Sequence, residues 1–343
     1  MINRNPVTTG DGPDLVGPYD RVEAEEPWFL PDETDEDSSP LPKAPEAGLV
    51  PTADWREAEA GLAAELADCA FDAGRLAERL RRAGQGAVQR LALEEAAAVS
   101  WWTGDRIGAD RLALWLSWRI GAAEKGGEAL VRTAWAARRL AAPPSAGVGA
   151  TVADLLGEAG RGDAGFAGDV AAALAGVADL SPLVRGCAGF HLWRSLDERP
   201  EHLRGLEAAV LGARLAGQGR RLAFLPLALT GFGALTASGP PERRLAAWMQ
   251  GAHRAVLAAL MTLERVEVWR QLATAETDDL QGRTPARLVA ALAAHPLLGA
   301  AEAEAETDAS RAAVLRNLDL LQQRGLIREV TGQGRFRVWA AKV

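Results

Sequence analysis

The sequence predicts a mainly α-helical protein that ends in a small module of three helices and a β-hairpin. Three observations lead there. Alanine and leucine dominate while β-branched residues and tyrosine are scarce, a composition that favours helices. Beyond residue 50, apolar side chains recur at helical spacing, interrupted by glycine and proline. Near the C-terminus the pattern switches to strict alternation on either side of a glycine turn.

The 343 residues suffice for two domains with a core between them. A hydrophobic share of 48% and a charged share of 24% place the chain among globular proteins. No stretch of about 18 uncharged apolar residues is present, and the N-terminus lacks a basic-then-apolar leader pattern. No membrane span is therefore expected, and the location implied is cytoplasmic. Cys69 and Cys187 lie far apart with no CxxC spacing, which speaks against a zinc site or a disulfide framework. His191, His202, His253 and His295 are scattered, so neither a metal nor a cofactor is expected. The net charge of −8 is unevenly spread: residues 1–50 hold twelve acidic against three basic side chains, leaving the remainder at +1. The acidic balance therefore describes the tail and does not exclude a nucleic-acid partner.

Residues 1–50, rich in Pro, Gly, Asp and Glu, bury too little apolar surface to offset their ordering entropy and read as a disordered acidic arm. Within it, Trp28, Phe29 and Leu30 form a short apolar segment. Residues 51–240 read as a helical domain. Its helices run from Trp55 to Leu80, Ala87 to Trp102, Ala109 to Ile120 and Gly127 to Ala141, with short glycine-rich ones over 148–180. A further helix opens at Ser181-Pro182, with serine as cap and proline in the first turn, and another spans Glu201 to Gly217. Residues 241–283 form a long connecting helix, about Glu242 to Thr274, and a linker at Gln281-Gly282-Arg283. Leu245, Met249, Val256, Leu263 and Val266 mark its apolar face.

Residues 284–343 make the closing module. Helices are expected over Pro285–Ala294 and Ala300–Glu304. A third, capped by Thr307 or Asp308, runs to Arg324 and stops at Gly325. Val314, Leu318 and Leu321 form its core stripe. Two strands, 326–330 and 335–339, flank the turn at 331–334. Helix, short helix, helix and hairpin is the order of a winged helix, in which the third helix enters the major groove of duplex DNA. Ser310, Arg311, Arg316 and Asn317 on that helix, with Arg335 and Arg337 on one side of the last strand, are the expected DNA contacts, because phosphate charge dominates such affinity. Eight basic residues face six acidic ones from Thr284 onward.

The run Gly325–Trp339, GLIREVTGQGRFRVW, resembles the end of an uncharacterised family of alphaproteobacterial helix-turn-helix proteins. The likeness continues through the helix at 242–274 and more faintly to about residue 70, and it implies a DNA-binding C-terminus. The helical domain is distantly similar to Fic proteins, all-helical enzymes that often carry a C-terminal winged helix. Glu95 to Gly104, EAAAVSWWTG, occupies the place of the Fic inhibitory helix, with Thr103 where the inhibitory glutamate would stand. The Fic motif His-Pro-Phe-x-Asp-Gly-Asn-Gly-Arg aligns with Arg199 to Glu207, RPEHLRGLE, where only Pro200 is kept. Arg199 replaces the general base, Leu203 the metal-binding acid and Glu207 the phosphate-binding arginine. The resemblance thus implies a Fic-like scaffold with its catalytic motif lost.

Neither a phosphate-binding glycine loop, a zinc-protease motif nor a nucleophile elbow occurs. The carboxylate pairs Glu94/Glu95 and Asp278/Asp279 read as solvated helix-end charges. Trp101, Trp102, Trp115, Trp118 and Trp135 read as core-filling side chains in an alanine-rich bundle. The expectation is a non-enzymatic, nucleoid-associated transcriptional regulator. Its helical domain dimerises or senses a partner, since dimers commonly read paired half-sites. A divergent nucleotidyl or phosphoryl transferase and a protein-interaction scaffold are the alternatives.

Overall fold

The computed structural model describes residues 50–118, 127–157, 164–219, 222–332 and 337–343. The acidic arm with Trp28, Phe29 and Leu30, the end of the helix expected at Ile120, and Arg335 lie outside the described residues. The chain is mainly helical, with one small antiparallel sheet. No helix among the described residues is long and apolar enough to cross a membrane.

Helix boundaries follow local chemistry. The predicted Trp55–Leu80 helix is two: α1 (Thr52–Gly61) and α2 (Ala63–Ala83), broken at Leu62, whose backbone leaves helical geometry. Gly84, at φ 83°, stops α2, and Gly104, in the left-handed region, stops α3 (Gln85–Thr103). Next come α4 (Ala109–Trp118), α5 (Gly127–Ala141), α6 (Gly147–Gly157) and α7 (Ala164–Ala175). At α8 (Pro182–Leu196) the Ser181 hydroxyl accepts the Val184 N–H as expected, and α9 spans Glu201–Gly217. A short α10 (Gly233–Thr236) and the 35-residue α11 (Pro241–Ala275) complete the body.

Helices α8 and α9 form the most extensive pair, and glycine makes it possible. A Cβ on Gly186 would stand 2.6 Å from the Gly212 carbonyl oxygen, and one on Gly212 would meet the Trp248 ring at 2.7 Å. Around them α3, α5 and α6 pack on α9, while α11 lies along α1, α2 and α10. Phe190, Trp193 and Trp248, fully buried, supply the volume that alanine does not. Trp115 joins this core, but Trp101 is 53% exposed, so the tryptophans at 101–135 do not share one role. Trp102 and Trp135 are half-buried, and nothing is described of the Trp118 side chain.

The C-terminal segment runs α12 (Thr284–Ala294), β1 (Leu298–Gly299), α13 (Ala300–Thr307), α14 (Arg311–Gln323), β2 (Ile327–Glu329) and β3 (Val338–Ala341). The sheet order is β1-β3-β2, both pairs antiparallel, with Leu298 opposite Trp339 and Ile327 opposite Ala341. Three details depart from the sequence reading. Strand β1 is only two residues long, too short for any alternation to reveal it. The last strand is described over Val338–Ala341 and so runs two residues past the expected end at 339. The cap of α14 is Ser310, whose hydroxyl accepts the Ala313 N–H, and not Thr307 or Asp308. Thr307 is buried and turned back onto Ala303, while Asp308 adopts the left-handed conformation that ends α13.

This segment is seated on the body. Leu297, Val338 and Ala340 belong to the main core, and Trp269 and Ala273 of α11 belong to the core formed by α12, α13 and α14. The Trp269 indole donates to the Leu326 carbonyl at 2.8 Å. At Gly86 a Cβ would overlap the Ala294 carbonyl oxygen at 1.7 Å, and Arg90 donates to the His295 carbonyl at the end of α12.

Gly186→Ala is expected to cost about 1–3 kcal/mol through forced separation of α8 and α9. Gly74→Ala, in α2 with nothing within 4 Å of its Cβ position, is expected to stabilise by about 0.5–1 kcal/mol. Urea denaturation of both variants measures the difference.

Candidate nucleic-acid interface

Helix α14 owes its orientation to the stripe Val314, Leu318 and Leu321, all buried against α12 and α13. The opposite face meets solvent. Arg311 and Arg316 are both exposed on it and, five residues apart, stand about 140° from each other around the axis. They border the face rather than cluster on it. Asp319 and Gln322 lie between them.

Partners of the expected DNA contacts refine the picture. Ser310 is occupied as the helix cap. Arg311 pairs with Glu304 of α13 at 3.1 Å, yet its side chain stays 61% exposed. Arg316 has no hydrogen bond or ion pair among the described residues. The Asn317 amide donates to the Ala313 carbonyl of its own helix at 2.8 Å, so it lies along the helix instead of reaching outward. Arg337 differs most from expectation. It donates to Glu329 at 2.8 Å, Asp319 at 2.9 Å and Gln322 at 3.2 Å, and its guanidinium lies 4.8 Å from the centre of the Trp339 ring. Three acceptors on two elements hold this cation against the protein; it clamps the hairpin to α14 and is not presented for phosphate. Alternation set Arg337 on the side of the strand that Trp339 takes, but β3 is buried throughout, and alternation carries no information about acceptors on the neighbouring helix.

Other cations of the segment are likewise engaged. Arg287 donates to the Thr307 carbonyl, Arg324 forms a two-pronged pair with Asp279 at 2.7 Å, and Arg328 reaches Asp110 of α4 at 2.7 Å. Exposed Lys342 has no ion pair among the described residues.

No protein-family model matches the chain, and no curated protein matches it in sequence.

In the body, the stretch aligned with the Fic motif forms the turn into α9. Arg199 binds Asp197 at 2.8 Å and Glu207 at 2.5 Å. Arg199 and Glu207 thus satisfy each other. Arg204 and Arg194 both pair with Glu201, at 2.8 and 2.7 Å, and Arg194 also lies over the rings of Trp102 and Phe190. Among the described residues no group of His, Cys, Asp and Glu side chains is placed to hold a metal ion. Cys69 and Cys187 are buried, and neither is in a disulfide.

Glu95 corrects the reading of a solvated pair. It is 1% exposed, and its carboxylate accepts the N–H groups of Leu227 at 2.8 Å and Ala228 at 2.9 Å. Those residues belong to a buried stretch between α9 and α10 that lies outside helix and sheet, held to α9 only where the Leu225 N–H donates to the Ala213 carbonyl. The carboxylate supplies the missing acceptor. Burial raises the Glu95 pKa to about 7 despite the opposing backbone donors. His191, buried and beside Arg244 and Arg194, is driven the other way, to about 3, mainly by burial.

These two groups oppose each other with pH. A carboxyl whose folded pKa is raised binds its proton more tightly when folded, so its contribution falls as pH climbs from 4.5 to 7. A histidine whose folded pKa is depressed contributes more as pH climbs from 3 to 6.5. Glu95→Gln is expected to unmask the histidine term: between pH 4.5 and 6.5, stability should rise more steeply than in the parent, by up to about 1.4 kcal/mol per pH unit. Denaturation midpoints across this range measure it, and parallel profiles would refute the assignment. Arg337→Ala is expected to destabilise the chain by about 1–2 kcal/mol, whereas Arg316→Ala should stay within about 0.5 kcal/mol. Thermal unfolding of the two variants separates clamp from free cation.

Proposed function

We propose that the chain is a DNA-binding regulator of transcription that grips duplex DNA through its C-terminal segment, read as a winged helix, with the helical body as a non-catalytic scaffold. The observation that carries this reading is the wiring: helix, strand, helix, helix, strand, strand, with the last strand central in the β1-β3-β2 sheet. That order leaves α14 as the third helix, its solvent face bordered by Arg311 and Arg316. In this reading α14 enters the major groove, the two arginines reach backbone phosphates or base edges, and Arg337 supports them by holding the hairpin against α14. Arg335 is assigned to the wing from sequence alone. The resemblance of Gly325–Trp339 to helix-turn-helix proteins agrees with it.

The scaffold role of the body is supported at the degenerate motif. Arg199 and Glu207 pair with each other, so neither is available as base or phosphate ligand. The DNA reading places the protein in the cytoplasm, on the nucleoid.

One observation favours a second reading, a module that contacts protein. Of the seven described cations from Thr284 onward, five already hold an acceptor within the chain, and a surface neutralised in this way attracts phosphate weakly.

An electrophoretic shift on random duplex at two salt concentrations tests the proposal. Binding should weaken steeply with salt, and Arg316→Ala should lower affinity on all sequences and reduce the salt slope by about 1. Absence of a shift at low salt would transfer the module to the protein-contact reading.

A further inference from the structure

A cleft of about 410 Å³ lies on the seam between the body and the C-terminal segment, within the size range of small-molecule sites. Helices α3, α4 and α5 supply one side, and the stretch joining α12 to α13 supplies the other. Leu93, Ala113, Ala137 and Leu297, all buried, form its apolar floor. Its rim is polar: Gln89, Ser117 and Arg138, one from each body helix, are exposed there. None of these three side chains has a hydrogen bond or ion pair among the described residues. The Arg138 guanidinium lies 5.9 Å from the centre of the buried Trp115 ring, a contact that steadies the cation while leaving its edge N–H groups open. A neighbouring groove is equipped differently. There Arg79, Arg82 and Arg270 line the wall, and each is already paired with a glutamate of the chain.

We infer that this cleft binds a small organic carboxylate with an apolar body, its carboxylate on Arg138 and its hydrocarbon against the floor. The sign of the ligand follows from the lining. Two other ionisable groups border the cleft, both on the C-terminal side, and both are engaged within their own segment. Glu302 accepts the Gly299 N–H at 3.0 Å at the start of α13, and the His295 ring meets Glu306 at 3.3 Å. Arg138 is the lining charge left without an acceptor among the described residues, and a guanidinium edge matches a carboxylate in two-pronged geometry. Gln89 and Ser117 add uncharged donors beside it. The floor decides the rest of the ligand: an inorganic anion would leave the apolar surface in water, whereas a hydrocarbon body removes it. Because the walls come from both the body and residues 295–302, an occupied cleft favours the seated position of the C-terminal segment. The site does not depend on whether α14 meets DNA or protein.

Isothermal titration of the full chain with 3-phenylpropionate and with hexanoate tests this, with 3-phenylpropionamide as the uncharged comparison. At least one of the acids should bind once per chain, and the amide about tenfold more weakly than 3-phenylpropionate, through loss of a charge-assisted contact. Arg138→Gln should weaken the acid about tenfold and leave the amide unaltered, with an unchanged helical circular-dichroism spectrum because the side chain is exposed. Arg243→Gln, which removes an exposed cation outside the cleft, should alter neither. Ala141→Phe, which fills the cleft from α5, should abolish binding of both. Glu302→Gln keeps the acceptor for the Gly299 N–H and should not weaken the acid. Failure of both acids to bind at about 10 mM would overturn the proposal, as would an Arg138→Gln variant that holds the acid as tightly as the parent. Affinity that falls with Glu302→Gln instead would make the preferred ligand a cation and would equally overturn it.

Discussion

The close approach of α8 and α9 at Gly186 and Gly212 is the constraint on which the body depends. An alanine-rich chain has little side-chain volume with which to fill a core. It reaches native density by drawing backbones together and plugging the remaining space with a few large rings. The plug at this crossing is Trp248, set beside Gly212, and Trp248 is carried by α11. The same helix carries Trp269, which anchors the C-terminal segment through its bond to the Leu326 carbonyl. One helix therefore transmits the packing of the body to the placement of the module. A Cβ at either glycine would push against neighbouring backbone or ring atoms rather than flexible side-chain ends.

How much of this was legible in the sequence depended on how local the cause was. Gly84, Gly104 and Gly325 stop helices by their own backbone freedom, and Ser181-Pro182 opens one by its own chemistry, so those boundaries could be read directly. The cap of α14 was misread by two to three residues because Thr307, Asp308 and Ser310 are all good capping types, and only the burial of Thr307 and the left-handed backbone of Asp308 separate them from Ser310. Glu95 looked solvated because its partners lie 132 and 133 positions away, in a segment whose unmet N–H groups no local pattern announces. Likewise the Arg337 clamp joins a strand end to side chains on α14 and β2, and a period of two reports only which side of the strand a residue takes.

The electrostatics of the C-terminal segment show why a net charge is a poor guide to a surface. Its small positive balance is spent on internal contacts: Arg324 and Arg328 tie the segment to Asp279 and Asp110, and Arg337 ties its hairpin to its third helix. These pairs fix orientation rather than create a long-range field, since neighbouring opposite charges cancel beyond about a Debye length. What remains on the solvent face of α14 is a pair of cations with Asp319 between them. A single segment of this kind offers few counterion-releasing contacts.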